Sequence, residues 1–321
     1  MSQSLDIAAR LGFNAESTRR WQVLTRREGD FPLPSAETLR AELVEFCDAD
    51  PADADAVAQA RPQPGSDLWT VAEKCYLDIA ADMGGTDLLQ WPLPMRHFGP
   101  TGALITLYPI LAALPLMRAW HAEHGIGPAQ SRLVCADIGE KLRLNRRLYG
   151  EPGLDVAFWF STHVRGSLYQ LGRLQFAVET GMGGYRLGIH IRGEGGRFSP
   201  QACEDAVKEA LDFFPETFGH WFPAEKQVKL NCTSWMLDPR LNDWLGEESN
   251  VARFGDFFTL TKPGSDAERN ARKDLWRFVY ETPDSAVELA DLPRSSRMQH
   301  RIAEAMESGV HWQVRTGLWK T

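Results

Sequence analysis

The stretch Tyr185-Arg-Leu-Gly-Ile-His-Ile-Arg-Gly-Glu-Gly-Gly-Arg-Phe-Ser199, followed by Pro200, changes character twice in one short run. Its first part alternates as a β-strand does, so that Gly188 and His190 share one face while Leu187, Ile189 and Ile191 share the other. Glycines at 193, 195 and 196 then break the pattern. Ser199-Pro200 is a strong helix start, with serine at the N-cap and proline at the first helical position. Strand, glycine-rich loop and capped helix in that order make an anion site. The N–H groups at the helix start have no intrahelical partner, and glycines allow close approach. A pyrophosphate would suit it. No Lys-Ser/Thr follows the glycines and the spacing is not GxGxxG, so neither common nucleotide-binding loop is present. Taken alone, the same residues also describe an ordinary turn. A pyrophosphate site would further need the next strand to separate from Leu187–Ile191 and leave a slot.

Working outward, the helix from Ser199 is expected to run to about Phe214, with Cys203, Val207, Ala210, Leu211 and Phe214 on its apolar face and Pro215 ending it. A strand is expected at Gln227–Cys232, then a short helix near Asp238-Pro239, a strand around Val251–Thr261 and a last strand over His311–Lys320. On the N-terminal side, Phe158–Ser161, Leu168–Val178 and Tyr185–Ile191 read as short strands, the last two joined by Thr180-Gly-Met-Gly-Gly184 as an antiparallel pair. Before Gly150 the pattern is mostly helical. Ser35 caps a helix over Ala36–Cys47, and the acidic stretch Asp48–Gly65 reads as a solvated loop. Asp67 caps a helix over Leu68–Met83, Trp91–Gly102 has too many prolines for regular structure, and a helix over about Arg132–Tyr149 ends at Gly150. The chain therefore divides at about 150 into a mostly helical part, 1–150, and an α/β (α+β) part, 151–321.

With 321 residues, 43% hydrophobic and 11 tryptophans, the composition is globular and can fill two cores. The net charge of −8, of which −7 falls in residues 1–130, argues against a nucleic-acid partner. Five cysteines without a CxxC or CxH pair exclude a zinc ribbon or a disulfide framework. The most apolar run, Ala103 to Met117, contains two prolines and reads as a core segment too short to cross a bilayer. No basic region followed by an apolar one opens the chain. A cytoplasmic protein with no membrane partner is expected.

From about Asp137 onward the chain resembles a group of bacterial GNAT-like acyltransferases, which join an N-terminal helical domain to a C-terminal GNAT-like domain. The resemblance rests on Leu171-Gly-Arg-Leu-Gln-Phe176, Gly188-Ile-His-Ile191, Cys232-Thr-Ser-Trp-Met-Leu-Asp-Pro239, Ser249-Asn250 with Phe254, and Gly309-Val-His-Trp312 with Arg315 and Gly317. Arg192 departs from it, standing where the family has a proline. The resemblance implies a mixed sheet with flanking helices. It also implies acyl transfer from acyl-CoA (acetyl-CoA or longer), without a metal, to an amine or hydroxyl of a small-molecule acceptor. An acyl carrier protein is an alternative donor. A non-catalytic small-molecule or partner-binding protein that kept the fold is the rival reading.

Within that frame the cofactor candidates are Arg192, Gly193, Gly195, Gly196, Arg197 and Ser199 at the loop and Asn231 on the next strand. His190 is the first candidate for general base, because imidazole titrates near neutral pH, and His311 is the second. Ser234 and Thr233 could bond a pantetheine amide or the acyl carbonyl, or simply cap the turn before Asp238. Cys232 as an acyl-carrying nucleophile, or Ser234 in a hydrolase, is disfavoured: neither has a histidine nearby in sequence nor a GxSxG elbow. Arg173 and Arg192 could contact a phosphate or an anionic acceptor, or be solvated. His163 and Arg165 could line an acceptor pocket or be polar strand positions. His121 and His124 read as surface histidines, and Trp312 as packing.

Overall fold

The structure is a computed structural model that describes residues 2–92, 95–181, 183–283 and 287–320. It forms two compact units, Met1–Arg146 with Gly150–Tyr169, and Arg147–Tyr149 with Gln170–Thr321.

The first unit is helical. The Ser35 hydroxyl accepts the Thr38 N–H and starts the helix Ala36–Ala41, which widens into a π-turn over Glu42–Phe46. The next helix begins one residue earlier than expected. Ser66, not Asp67, accepts the Trp69 N–H at the start of Asp67–Ala80, because the Asp67 carboxylate is held by Arg10 at 2.7 Å. The stretch read as a solvated loop contains the helix Pro51–Gln59. An ion pair on a buried carboxylate explains it: Asp53, 3% exposed, is anchored by Arg146 at 2.9 Å. Between Arg96 and Glu123 lies a window of mean hydropathy 1.5, apolar and long enough by composition to cross a membrane, yet 78% of it is buried inside the protein. Leu104 through Leu114 are all buried there. The helix Pro128–Tyr149 closes on Gly150 at φ +70, a conformation glycine adopts without cost. Phe158–Ser161 is not a strand. Ala157–Trp159 is a 3₁₀ turn leading into the helix Phe160–Val164. Ala157, Phe160 and Val164, all buried, are spaced by three and four and so share a helical face.

The second unit is built on a six-stranded sheet of order β1-β2-β3-β4-β6-β5. Its strands are β1 Leu168–Leu171, β2 Leu174–Gly181, β3 Gly184–His190, β4 Leu230–Ser234, β5 Phe258–Leu260 and β6 Arg315–Trp319. The β2–β3 hairpin is antiparallel, as its turn residues predict; Met182 in that turn lies outside the described residues. β3 and β4 run parallel, and β6 pairs antiparallel with both β4 and β5. The connection from β3 to β4 is the glycine loop and the helix Pro200–Thr217, in which Ser199 accepts the Ala202 N–H as its sequence requires.

Register then assigns the faces. Phe176, Val178, Leu187, Ile189 and Cys232 lie on one side of the sheet, where Phe176 meets Phe214 of the helix at 6.4 Å. Cys203, Val207, Ala210 and Phe214 are buried, whereas Leu211, at the edge of the stripe, is 40% exposed. Pro215 does not end the helix, which continues to Thr217. So close to the end, a proline forfeits little of the hydrogen-bond ladder, and the Phe218 N–H still reaches the Phe214 carbonyl at 2.8 Å.

Three other elements shift. Val251–Thr261 divides into the helix Asn250–Gly255 and the short β5. β4 is displaced toward Ser234, and β6 begins only at Arg315, leaving His311 outside it. The cause at β6 is Asp238. Its buried carboxylate accepts the Arg240 and Gln313 N–H groups, so residue 313 is tied down before the strand can start. A second cluster, including Trp235, Leu275, Trp276, Ile302 and Trp312, fills the space behind these turns.

Candidate functional site

The site begins where the only parallel pair among the described strands comes apart. β3 and β4 are in register at Leu187–Leu230, Gly188–Asn231 and Ile189–Cys232, and there the pairing stops. β4 continues for two more residues, Thr233 and Ser234, paired only with Thr316 and Arg315 of β6 on its other side. On the β3 side the chain leaves at Ile191 into the glycine loop. Pairing therefore ends at the carboxyl end of this pair, just before the chain enters the glycine loop and the Pro200–Thr217 helix.

The loop is shaped by an arginine from β2's entry. Arg173 is buried, 7% exposed, and donates from Nη2 to the Arg192 carbonyl at 2.8 Å. Its guanidinium also lies over the Phe198 ring at 5.1 Å, and Phe198 packs on Phe254 at 5.2 Å. A β-carbon at Gly195 would sit 2.6 Å from Arg173 Nη1, so that glycine makes room for the guanidinium. Gly196 has φ +85 with open space around it, so its glycine is needed for the backbone turn itself. Gly193, Glu194 and Arg197 are exposed, and Ser199 is half-buried at the helix cap. Neither Arg173 nor Arg192 is a solvated side chain, since both are 7% exposed.

The face of the sheet opposite the helix carries the polar groups. Gln175, Ala177 and Glu179 of β2 stand opposite His190, Gly188 and Arg186 of β3, and Asn231 and Thr233 of β4 continue the same face. His190 is half-buried at the very end of β3, one residue past the last β3–β4 pair. Asn231, 5% exposed, donates from Nδ2 to Glu179 Oε2 at 3.2 Å, and the Thr233 and Thr316 hydroxyls bond each other at 2.9 Å. Ser234 accepts the Met236 N–H at 3.1 Å and caps the turn after β4. On the helix side, burial first and the Glu179 charge second push the Cys232 thiol well above its ordinary range, which leaves it a packing group.

The remaining candidates lie elsewhere. His311 is exposed in the segment before β6. Trp312 is buried, with its indole N–H on the Ile302 carbonyl at 3.4 Å. In the first unit His163 and Arg165 are fully buried on no strand. His163 faces Asp137 at 3.2 Å, and Arg165 pairs with Asp82 and donates to the Ser161 carbonyl. His121 is not a surface histidine. It is 1% exposed, bonded to Ser131 Oγ at 2.7 Å, and burial lowers it to about 4, so it is held neutral. Among the described residues no three or more His, Cys, Asp or Glu side chains are grouped to hold a metal. Glu179 and Arg186 escaped the sequence reading, although the alternation Gln175-Phe-Ala-Val-Glu179 carried the signal that Glu179 shares a face with its hairpin partners.

The parallel β3–β4 pair, joined through a glycine loop and a capped helix, agrees with the fold that the motifs suggested, and comparison with known proteins assigns it. Residues 168–319 match the GNAT-like C-terminal domain, and residues 39–166 match the N-acyltransferase N-terminal domain. Comparison with curated protein sequences finds no match. Among solved structures, the chain is similar to an acyltransferase in complex with CoA and 10C-teicoplanin. It shares 28% identity with that protein over 99% of each chain, at a TM-score of 0.89. The same figures hold for an acyltransferase with decanoyl-CoA and teicoplanin, and a mutant acyltransferase with octanoyl-CoA superposes at a TM-score of 0.90 with 28% identity over 99% of each chain. The chain belongs to the GNAT-like acyltransferases that carry an N-acyltransferase N-terminal domain.

Proposed function

We propose that this protein moves an acyl group from acyl-CoA directly to an amine or hydroxyl of a small-molecule acceptor. The observation that carries this reading is the end of β3–β4 pairing at Ile189–Cys232, placed against the Gly193–Ser199 loop and the capped helix. In this reading the pyrophosphate rests on the N–H groups from Gly195 to Ser199. The pantetheine arm enters the slot between the strands and takes hydrogen bonds from the freed edge of β4. His190 accepts the acceptor's proton as the nucleophile attacks the thioester carbonyl, and His311, exposed and off the sheet, is the weaker alternative. Strand N–H groups at the divergence stabilise the oxyanion of the tetrahedral intermediate, and the CoA thiolate leaves.

The complexes of similar proteins with decanoyl-CoA and octanoyl-CoA support a medium-chain donor, and those with teicoplanin support a small-molecule acceptor. All five cysteines are buried free thiols, which supports our assignment of the reaction to the reducing cytoplasm. Calorimetry with CoA and with acetyl-, octanoyl- and decanoyl-CoA tests the reading. Saturable binding that weakens when Gly195 and Gly196 are replaced is expected. Absence of binding to every one of these thioesters would sink the acyl-CoA donor.

A further inference from the structure

Glu179 sits on the polar face directly opposite Arg186, as a cross-strand ion pair, but its carboxylate reaches beyond that partner. From β2 its carboxylate reaches over β3 toward β4, and Oε2 accepts the Nε–H of Arg186 on β3 at 3.1 Å and the Nδ2–H of Asn231 on β4 at 3.2 Å. It crosses over Gly188. A β-carbon there would lie 2.1 Å from Oε1 and 2.7 Å from Cδ, so the glycine leaves room for the carboxylate over the strand, and a side chain at this position would push it aside. Glycine at such a position costs strand stability, which argues for a use. Oε1 takes no hydrogen bond from the described residues, and the side chain remains 30% exposed. His190 follows Gly188 by two residues on the same face, about 7 Å along the strand.

We infer that Glu179 is a further acceptor-binding residue of the transfer site, its Oε1 accepting one N–H of the acceptor's amino group while His190 accepts the other. Arg186, Asn231 and Gly188 hold the carboxylate in place. This rests on the acyl-transfer reading above and narrows it. A primary amine has two hydrogens and serves both acceptors at once, whereas a hydroxyl has one and must leave either Glu179 or His190 unserved. The step balances as follows. The nitrogen lone pair forms the C–N bond at the thioester carbonyl, the N–H proton passes to His190, the C–S bond breaks, and the CoA thiolate takes the proton from the imidazolium. Glu179 neither gains nor loses a proton; it orients the lone pair.

The test uses the full chain with decanoyl-CoA as donor, and glucosamine, butylamine and their hydroxyl counterparts glucose and butanol as probe acceptors, following CoA release. In the wild type the amines accelerate release and the alcohols do not. In Glu179→Gln the KM for the amine rises at least about tenfold, kcat stays within about threefold, and the calorimetric Kd for decanoyl-CoA is unchanged. Gly188→Ala, which displaces the carboxylate, reproduces the KM effect, and Glu179→Asp recovers part of it. An unchanged KM in Glu179→Gln overturns the inference, as does a parallel loss of thioester affinity, which would mark a purely structural role. So does a wild-type protein that binds decanoyl-CoA but is not accelerated by either amine. If the wild type binds no thioester at all, it is the acyl-CoA reading itself that fails.

Discussion

Replacing Gly196 by alanine isolates what the loop contributes to donor binding. The residue has φ +85 and no atom within 4 Å of the place its β-carbon would take, so the substitution introduces no clash. What it introduces is the left-handed penalty of an L-residue, about 1–2 kcal/mol. That penalty falls on the conformation that presents the N–H groups of the helix start. If only this conformation binds pyrophosphate, the apparent Kd for decanoyl-CoA rises by up to roughly 5- to 30-fold. The fold provides a control. Gly246, after the helix Leu241–Leu245, also has a φ of +85, with ψ 150 and open surroundings. Gly246→Ala likewise strains the backbone without a clash, in a loop outside the proposed donor site, and its donor affinity should not change. Calorimetric titration of both variants, with melting temperatures measured alongside, decides the matter. Equal loss of affinity in the two variants, or none in Gly196→Ala, would refute the assignment of the loop.

Other consequences can be checked together. His190→Gln should lower turnover by about 10²–10⁴-fold while leaving decanoyl-CoA affinity intact, as CoA-release kinetics would show. Arg173→Met removes both the hydrogen bond to the Arg192 carbonyl and the contact with Phe198, so the loop loses its support and donor affinity should fall in calorimetric titration. Phe214→Ala should cost about 3–5 kcal/mol in urea unfolding, since the ring is fully buried between the helix and β2. Burial pushes the Asp274 carboxyl up from 3.8 to about 6, so between those pH values the folded state holds more protons than the unfolded state and stability falls as pH rises. Asp274→Asn should then stabilise the protein at pH 7 by an amount of up to about 3 kcal/mol, and the gain should vanish below about pH 4.

The sequence by itself determined the strand-loop-helix unit, because each of its signals is local. Alternation places Gly188 and His190 on one face, glycines break the strand, and Ser199-Pro200 starts the helix; all of this depends on residues within a turn or two of one another. The same locality made Ser35 and Gly150 legible as helix ends. It misled at Phe158–Ser161, where an aromatic run too short to show its period was read as a strand, and at Asp48–Gly65, where acidic composition concealed a helix anchored by the distant Arg146. What only the tertiary structure decided are relations across strands. Where the pairing of β3 with β4 stops is a matter of register, and no residue type encodes it. Arg173 shapes a loop twenty residues away, and Glu179 reaches over Gly188 to Asn231. Those meetings are set by hairpin register and by the crossover that brings β4 beside β3. The chemistry of the site is therefore written in single residues, while its geometry exists only once the strands have paired.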